Sequence, residues 1–206
     1  MAHVLHSTEL TVDLDNSKRL IFTELQLKKG EFVLLQGASG SGKSTWMHAL
    51  AGLLPIASGT IHIEGQGSLH AGKKAPTHWR RNGLSFMPQR AFFWNSLSLK
   101  GNLDLAAWCK GLPGVDADPE TLGLDGKTAQ AAHSLSLGEQ QRLSALRSFL
   151  GNAPVLLADE PTASLDDANA EALMKLFKEH GKGRAILVSS HDQRLAPFVD
   201  RIIHLS

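Results

Sequence analysis

The sequence predicts an α/β fold built on a parallel sheet, and three observations carry that prediction. Short apolar runs of buried-strand type recur between helical stretches: Phe32-Val33-Leu34-Leu35, Val155-Leu156-Leu157-Ala158 and Ala185-Ile186-Leu187-Val188. Strands that alternate with helices favour a parallel core. The first run leads straight into a glycine-rich stretch, Gly37-Ala38-Ser39-Gly40-Ser41-Gly42-Lys43-Ser44-Thr45. Strand signals then vanish over residues 91–149, where Ala, Leu, Gly and Ser dominate, as expected of an inserted, mainly helical segment.

The remaining elements follow in order. Leu10–Leu14 alternates apolar with polar, and so does the stretch 20–27, so both read as strands. Residues 28–31 form a turn. A helix is expected over about residues 43–53, with Trp46, Leu50 and Leu54 at helical spacing. Thr60–Ile63 is another short strand. Asp167–His180 reads as a helix and residues 201–204 as a last strand. His70 and His78 flank Lys73-Lys74 and Arg80-Arg81. Without Cys, Asp or Glu at ligand spacing, this stretch is expected to be a solvated loop and not a metal site.

Bulk properties narrow the function. The 206 residues are 42% hydrophobic and 20% charged, enough for one sizeable core or one domain with an inserted subdomain. With 21 Lys+Arg against 20 Asp+Glu the net charge is +1, which lacks the basic footprint of a dedicated nucleic-acid binder. One cysteine, Cys109, allows no intrachain disulfide and fits a reducing compartment. It is expected as a small buried or half-buried apolar residue. No signal peptide is visible at the N-terminus, and no apolar run nears the roughly 20 residues that span a bilayer. A soluble, cytoplasmic chain is expected, with any membrane part supplied by another polypeptide.

The stretch from Gly37 to Ser44 fits Gly-x-x-x-x-Gly-Lys-Ser between a strand and a helix, the context in which that spacing cradles phosphate. Gly37, Gly40 and Gly42 are expected to allow positive φ and a backbone wrapped close to the anion. Backbone N–H groups and the helix N-terminus then face it. Lys43 adds a charge toward the β- and γ-phosphates, Ser44 offers a hydroxyl to Mg²⁺, and Thr45 can bond the α-phosphate. A flexible glycine-serine turn with a chance lysine would lack the flanking strand and helix.

A second feature lies at the end of a buried strand, Leu156-Leu157-Ala158-Asp159-Glu160-Pro161. Ligands bind at the carboxyl ends of strands in open α/β sheets. Asp159 suits the oxygen shell of Mg²⁺, and Glu160 is placed to polarise an attacking water as general base. Two solvated acids opening a turn would look the same in isolation. The pairing with the phosphate loop makes the difference.

With these residues in hand, the chain resembles an ATP-binding-cassette (ABC) ATPase subunit along nearly its whole length. Phe86-Met87-Pro88-Gln89 looks like the glutamine loop, Leu135-Ser136-Leu137-Gly138-Glu139 the signature, and Asp159-Glu160 the second nucleotide motif. Ser164-Leu165-Asp166 looks like the aspartate loop, and Ser189-Ser190-His191-Asp192 the histidine switch. The resemblance implies a P-loop NTPase core (1–90 and 151–206) with an antiparallel β subdomain and an inserted helical subdomain (91–150). It implies ATP and Mg²⁺ as cofactors, and two copies closing head to tail around two ATP molecules. The phosphate loop of one copy would then face Ser136 and Gly138 of the other, with Asp166 coupling the two sites. Gln89 would sense Mg²⁺ and the attacking water, and His191 would position the γ-phosphate and Glu160.

Two departures from the family pattern stand out. Leu137 replaces the first signature glycine. The base-contact neighbourhood, residues 11–17, holds no aromatic, and the chain has no tyrosine. Leu14 is the expected occupant, so looser base selectivity is expected, with GTP admitted beside ATP.

The stretches 156–166 and 190–194 are similar to the lipoprotein-releasing, macrolide-exporter and heterocyst-glycolipid-exporter group. That similarity implies an integral membrane permease as partner, docking near residues 89–96, with the ATPase on the cytoplasmic face of the membrane. Phe92, Phe93 and Trp94 either anchor that partner or pack the helical insert. No nucleic-acid partner is expected. The competing reading, a soluble cassette ATPase acting on ribosomes or DNA, usually carries two cassettes or long coiled-coil insertions, and this chain has neither. A kinase is disfavoured by the signature and histidine switch, with no acceptor pocket legible.

Overall fold

The computed structural model describes residues 3–14, 18–115 and 119–205. Its centre is a five-stranded parallel sheet in the order β11-β5-β10-β9-β8. The strands are β5 (Phe32–Gly37), β8 (Leu84–Met87), β9 (Val155–Asp159), β10 (Ala185–Ser190) and β11 (Arg201–Leu205). Leu34 pairs with Val188 and Ile202, and Ala158 with Val188 and Met87. β9 and β10 are buried along their whole length, which is why they read as continuous apolar runs.

The period of two sorts these strands onto two cores. Leu34, Leu156, Ala158, Ile186 and Val188 face one cluster, shared with α3 (Leu99–Lys110), α4 (Leu137–Phe149) and α5 (Asp167–His180). Val33, Leu35, Val155, Leu157 and Leu187 face the other, shared with α1 (Lys43–Leu50). A four-stranded antiparallel sheet covers this second core. It is ordered β4-β1-β6-β7 from β1 (His3–Ser7), β4 (Leu25–Lys28), β6 (Thr60–Ile63) and β7 (Gly67–His70). A hairpin of β2 (Leu10–Leu14) and β3 (Lys18–Phe22) stands beside it, and Phe22 stacks on Trp46 of α1 at 5.1 Å.

Several expectations are corrected. The strand read over 20–27 is two, β3 and β4, separated by Thr23 and Glu24. The helix after the phosphate loop stops at Leu50, because Gly52 takes φ +64° and Pro55 follows. The stretch around His70 and His78 is a loop only over residues 71–76: His70 ends β7, and His78 lies on α2 (Thr77–Gly83), whose Trp79 is buried. Both histidines are exposed. Cys109 is exposed instead of buried. Between β8 and β9 the described residues hold helices and turns but no strand.

Candidate functional site

The phosphate loop leaves the carboxyl end of β5 and enters α1. Gly40 and Gly42 adopt φ +82° and +100°, the left-handed region that favours glycine. Gly37 does not. It still belongs to β5, and glycine is needed there for close approach, because a Cβ would lie 2.5 Å from the Leu205 carbonyl oxygen and 2.8 Å from Ser41 Oγ. Lys43 is buried in the first turn of α1 and donates to the carbonyls of Gly37 (2.7 Å) and Ala38 (3.0 Å).

Opposite the loop, β9 ends in Asp159 and Glu160 follows it, both buried. Asp159 accepts a hydrogen bond from Ser189 Oγ. Glu160 Oε1 accepts from His191 Nδ1 at 3.0 Å and lies 3.8 Å from Lys43 Nζ. Its Oε2 accepts from Ser190 Oγ at 2.9 Å. The His191 side chain is itself 68% exposed, so the ring stands at the mouth while the carboxylate stands at the floor. Asp192, the next residue, accepts from Thr162 and Arg194, and Arg194 also pairs with Asp167.

A cleft of about 440 Å³ runs between the phosphate loop and Glu160, and Asp159, Gly37, Ala38 and Ser41 are not among its lining residues. Ser39, Gly40, Gly42, Lys43, Ser44, Thr45, Gln89, Glu160 and His191 line it, together with Leu14, Lys18 and Leu20. Sequence reasoning placed Leu14 here but missed Lys18 and Leu20. The hairpin register Leu14↔Lys18 brings the first of these across, and that pairing has no local sequence signal. Residues 15–17 of the expected base-contact stretch lie outside the described residues.

Ser136, Gly138 and Asp166 are not among the residues lining this cleft. Ser136 caps α4 in a capping box with Glu139: the Ser136 hydroxyl accepts from Glu139 N, and Ser136 N donates to Glu139 Oε2 at 2.9 Å. Leu137 beside it is 73% exposed. Asp166 caps α5, accepting from Asn169 N at 2.8 Å, a bond that holds its carboxyl below the usual range.

A second, mostly apolar hollow of about 340 Å³ lies between β8, α3 and α4, lined by Phe92, Trp94, Ala106, Cys109, Lys110 and Arg147 among others. The three aromatic rings divide. Phe93 is buried under the Arg147 guanidinium, 5.1 Å from its ring, whereas Phe92 and Trp94 are 69% and 57% exposed.

Residues 22–163 match the ABC transporter family. The chain belongs to that family. As an ABC transporter ATPase it is 36% identical to the macrolide export ATP-binding/permease protein MacB of Vibrio parahaemolyticus, across 88% of this chain and 29% of MacB. The chain thus spans about three tenths of the length of its MacB relatives. It is 31% identical to HrtA of Staphylococcus epidermidis, named for hemin import, across all of this chain and 96% of HrtA. Among solved structures, the ATP-binding cassette MJ0796 in a dimeric post-hydrolysis state bound to ADP and Pi superposes with a TM-score of 0.85. The two are 26% identical, over 98% of this ABC ATPase and 94% of that chain. No helix among the described residues is long and apolar enough to cross a membrane.

Proposed function

We propose that this ABC ATPase hydrolyses ATP in the cleft between the phosphate loop and the end of β9, with Glu160 as general base. The observation that carries the reading is the placement of Glu160. Its carboxylate is buried, oriented by Ser190 and His191, and faces Lys43 across 3.8 Å. A carboxylate so fixed can take a proton from water attacking the γ-phosphate. His191, at the mouth, positions that carboxylate and the phosphate.

The residues also fit a magnesium ion. Ser44, Gln89 and Asp159 offer a hydroxyl, an amide oxygen and a carboxylate, the hard oxygen donors that Mg²⁺ takes. Bound there with the nucleotide, the ion supplies charge neutralisation on the phosphate oxygens.

The working form is a head-to-tail homodimer in which Ser136 and Gly138 of one copy complete the site of the other. Their position away from this chain's own cleft, on an exposed helix N-terminus, supports that arrangement, as does the dimeric state of MJ0796. The chain drives an integral membrane permease, docked at the hollow beside residues 89–96 through Phe92 and Trp94. An exporter or force-transmitting envelope system is the reading taken, and the export named for the MacB relatives supports its exporter form. The test is Glu160→Gln, assayed for ATPase activity and for ATP-induced dimers. Loss of turnover with dimers retained is expected. Normal turnover would remove Glu160 as the base. The same variant, tagged and held with ATP in detergent-solubilised membranes, should co-purify a polytopic protein with a large external domain. Recovery of only ribosomal or DNA-bound partners would overturn the transport role.

A further inference from the structure

Glu160 is the one non-glycine residue among those described with a positive φ, +46°. For an L-residue the left-handed region costs about 1–2 kcal/mol, so the conformation persists only where the surroundings over-determine it. Most of the bonds that do so come from β10 and its extension. Glu160 N donates to the Ser189 carbonyl at 2.9 Å, and Ser190 and His191 hold the carboxylate. The Glu160 carbonyl oxygen takes two bonds from elsewhere, one of them from Ala163 N at 3.3 Å within the loop that follows. Gln141, a buried residue of α4, donates its side-chain amide to the Glu160 carbonyl oxygen at 3.2 Å.

α4 is the helix that Ser136 caps. Gly138, Gln141 and Arg142 stand at i, i+3 and i+4 and so share one face. That face rests on the loop following β9. A Cβ on Gly138 would lie 3.5 Å from Leu165 Cδ2 and 3.6 Å from the Ser164 carbonyl. Arg142 donates to Asn169 Oδ1 at 3.2 Å, and Asn169 in turn donates to Asp166. The signature helix therefore touches the start of the loop through Gln141, and through Arg142 it reaches Asn169 in the first turn of α5, just past the loop's end.

We propose that Gln141 is a positioning residue for hydrolysis, through which the helix bearing Ser136 and Gly138 sets the backbone of Glu160. The inference rests on the reading of Glu160 as general base. A partner-held nucleotide engaging the N-terminus of α4 moves Gln141 with the helix, and the Glu160 carbonyl follows. Occupancy of one site is thereby reported to the base of the other.

The experiment is steady-state ATPase kinetics on Gln141→Met, which keeps length and volume but removes the donor, and on Gln141→Glu. For Gln141→Met, kcat should fall roughly 10- to 100-fold, as small misplacements of a reacting group do, with KM for ATP within about twofold. In Gln141→Glu the buried carboxyl faces a carbonyl, which raises its pKa. Lowering the pH protonates it and restores a donor, so this variant's kcat relative to the parent should rise as pH falls. A packing defect would not show that rescue. Parental kcat in a folded Gln141→Met, or a pH profile of Gln141→Glu parallel to the parent's, would overturn the proposal. If Glu160→Gln is inactive while Gln141→Met is normal, this inference alone fails. If Glu160→Gln turns over normally, the underlying reading fails.

Discussion

Lys43 Nζ lies 2.7 Å from the carbonyl oxygen of Gly37, so the ammonium closes back over the loop that precedes it. A buried cation must be satisfied, and this loop supplies carbonyls as stand-ins for phosphate oxygens. Nucleotide binding exchanges these bonds for stronger charge-assisted ones. Lys43→Ala should therefore lose about 1.5–3 kcal/mol of nucleotide binding, roughly 10- to 100-fold. Titration with a fluorescent ATP analogue checks this, and parental affinity would count against the phosphate-loop assignment.

Gly37 permits a prediction of a different kind. Its Cβ would meet the backbone oxygen of Leu205 at 2.5 Å, an atom of β11 that cannot swing away. Gly37→Ala should destabilise the fold by about 1–3 kcal/mol, as overpacking does, and disturb Lys43 with it. Thermal unfolding with and without ATP should show a lowered Tm and a smaller stabilisation by nucleotide.

The parts of this site that were legible in the sequence are those held by contiguous residues. The loop from Gly37 to Thr45, the acids after β9 and the strand before His191 each announce themselves by local spacing and apolar runs. β8, β7 and α2 did not, because they are short: β8 reads Leu84-Ser85-Phe86-Met87, buried by its neighbour β9 and not marked by its own pattern. Lys18 reaches the cleft only by cross-strand register, and Gln141 reaches Glu160 only because α4 packs on a loop 19 residues away in sequence. Gly37 shows the same limit in reverse. The motif demanded glycine correctly, yet the reason is the carbonyl of a strand at the far end of the chain.

Lys110 carries a pH signature. Burial, with the Arg184 charge beside it, lowers its pKa from 10.5 to about 8, while its ammonium still donates to Ser85 and to the Leu150 carbonyl. Between pH 8 and 10.5 the folded chain has lost this proton and the unfolded chain keeps it, so stability rises with pH in that window. Below pH 8 both states are protonated and the burial cost, at most about 3 kcal/mol, is fully present. Lys110→Met lacks the effect. The Tm of the parent minus that of Lys110→Met should thus increase from pH 7 to pH 10. A constant difference would show that Lys110 titrates normally.

Base selectivity provides the last test. Leu14, half-buried on β2, lines the cleft with Lys18 and Leu20, and no aromatic residue is among the lining side chains. An aliphatic face gives a purine dispersion contact without ring stacking, and it does not distinguish one purine from another. ATP and GTP should then bind with affinities within a few-fold of each other. Leu14→Tyr adds a ring where the base would rest, and aromatic stacking contributes about 0.5–1.5 kcal/mol, a gain of roughly 2- to 12-fold in affinity. Because every purine presents a π-face, the gain should be similar for both nucleotides. Equilibrium titration of ATP and GTP against parent and variant decides the matter. A strong ATP preference in the parent would mean that polar groups read the base edge. No gain in Leu14→Tyr would place the base away from Leu14.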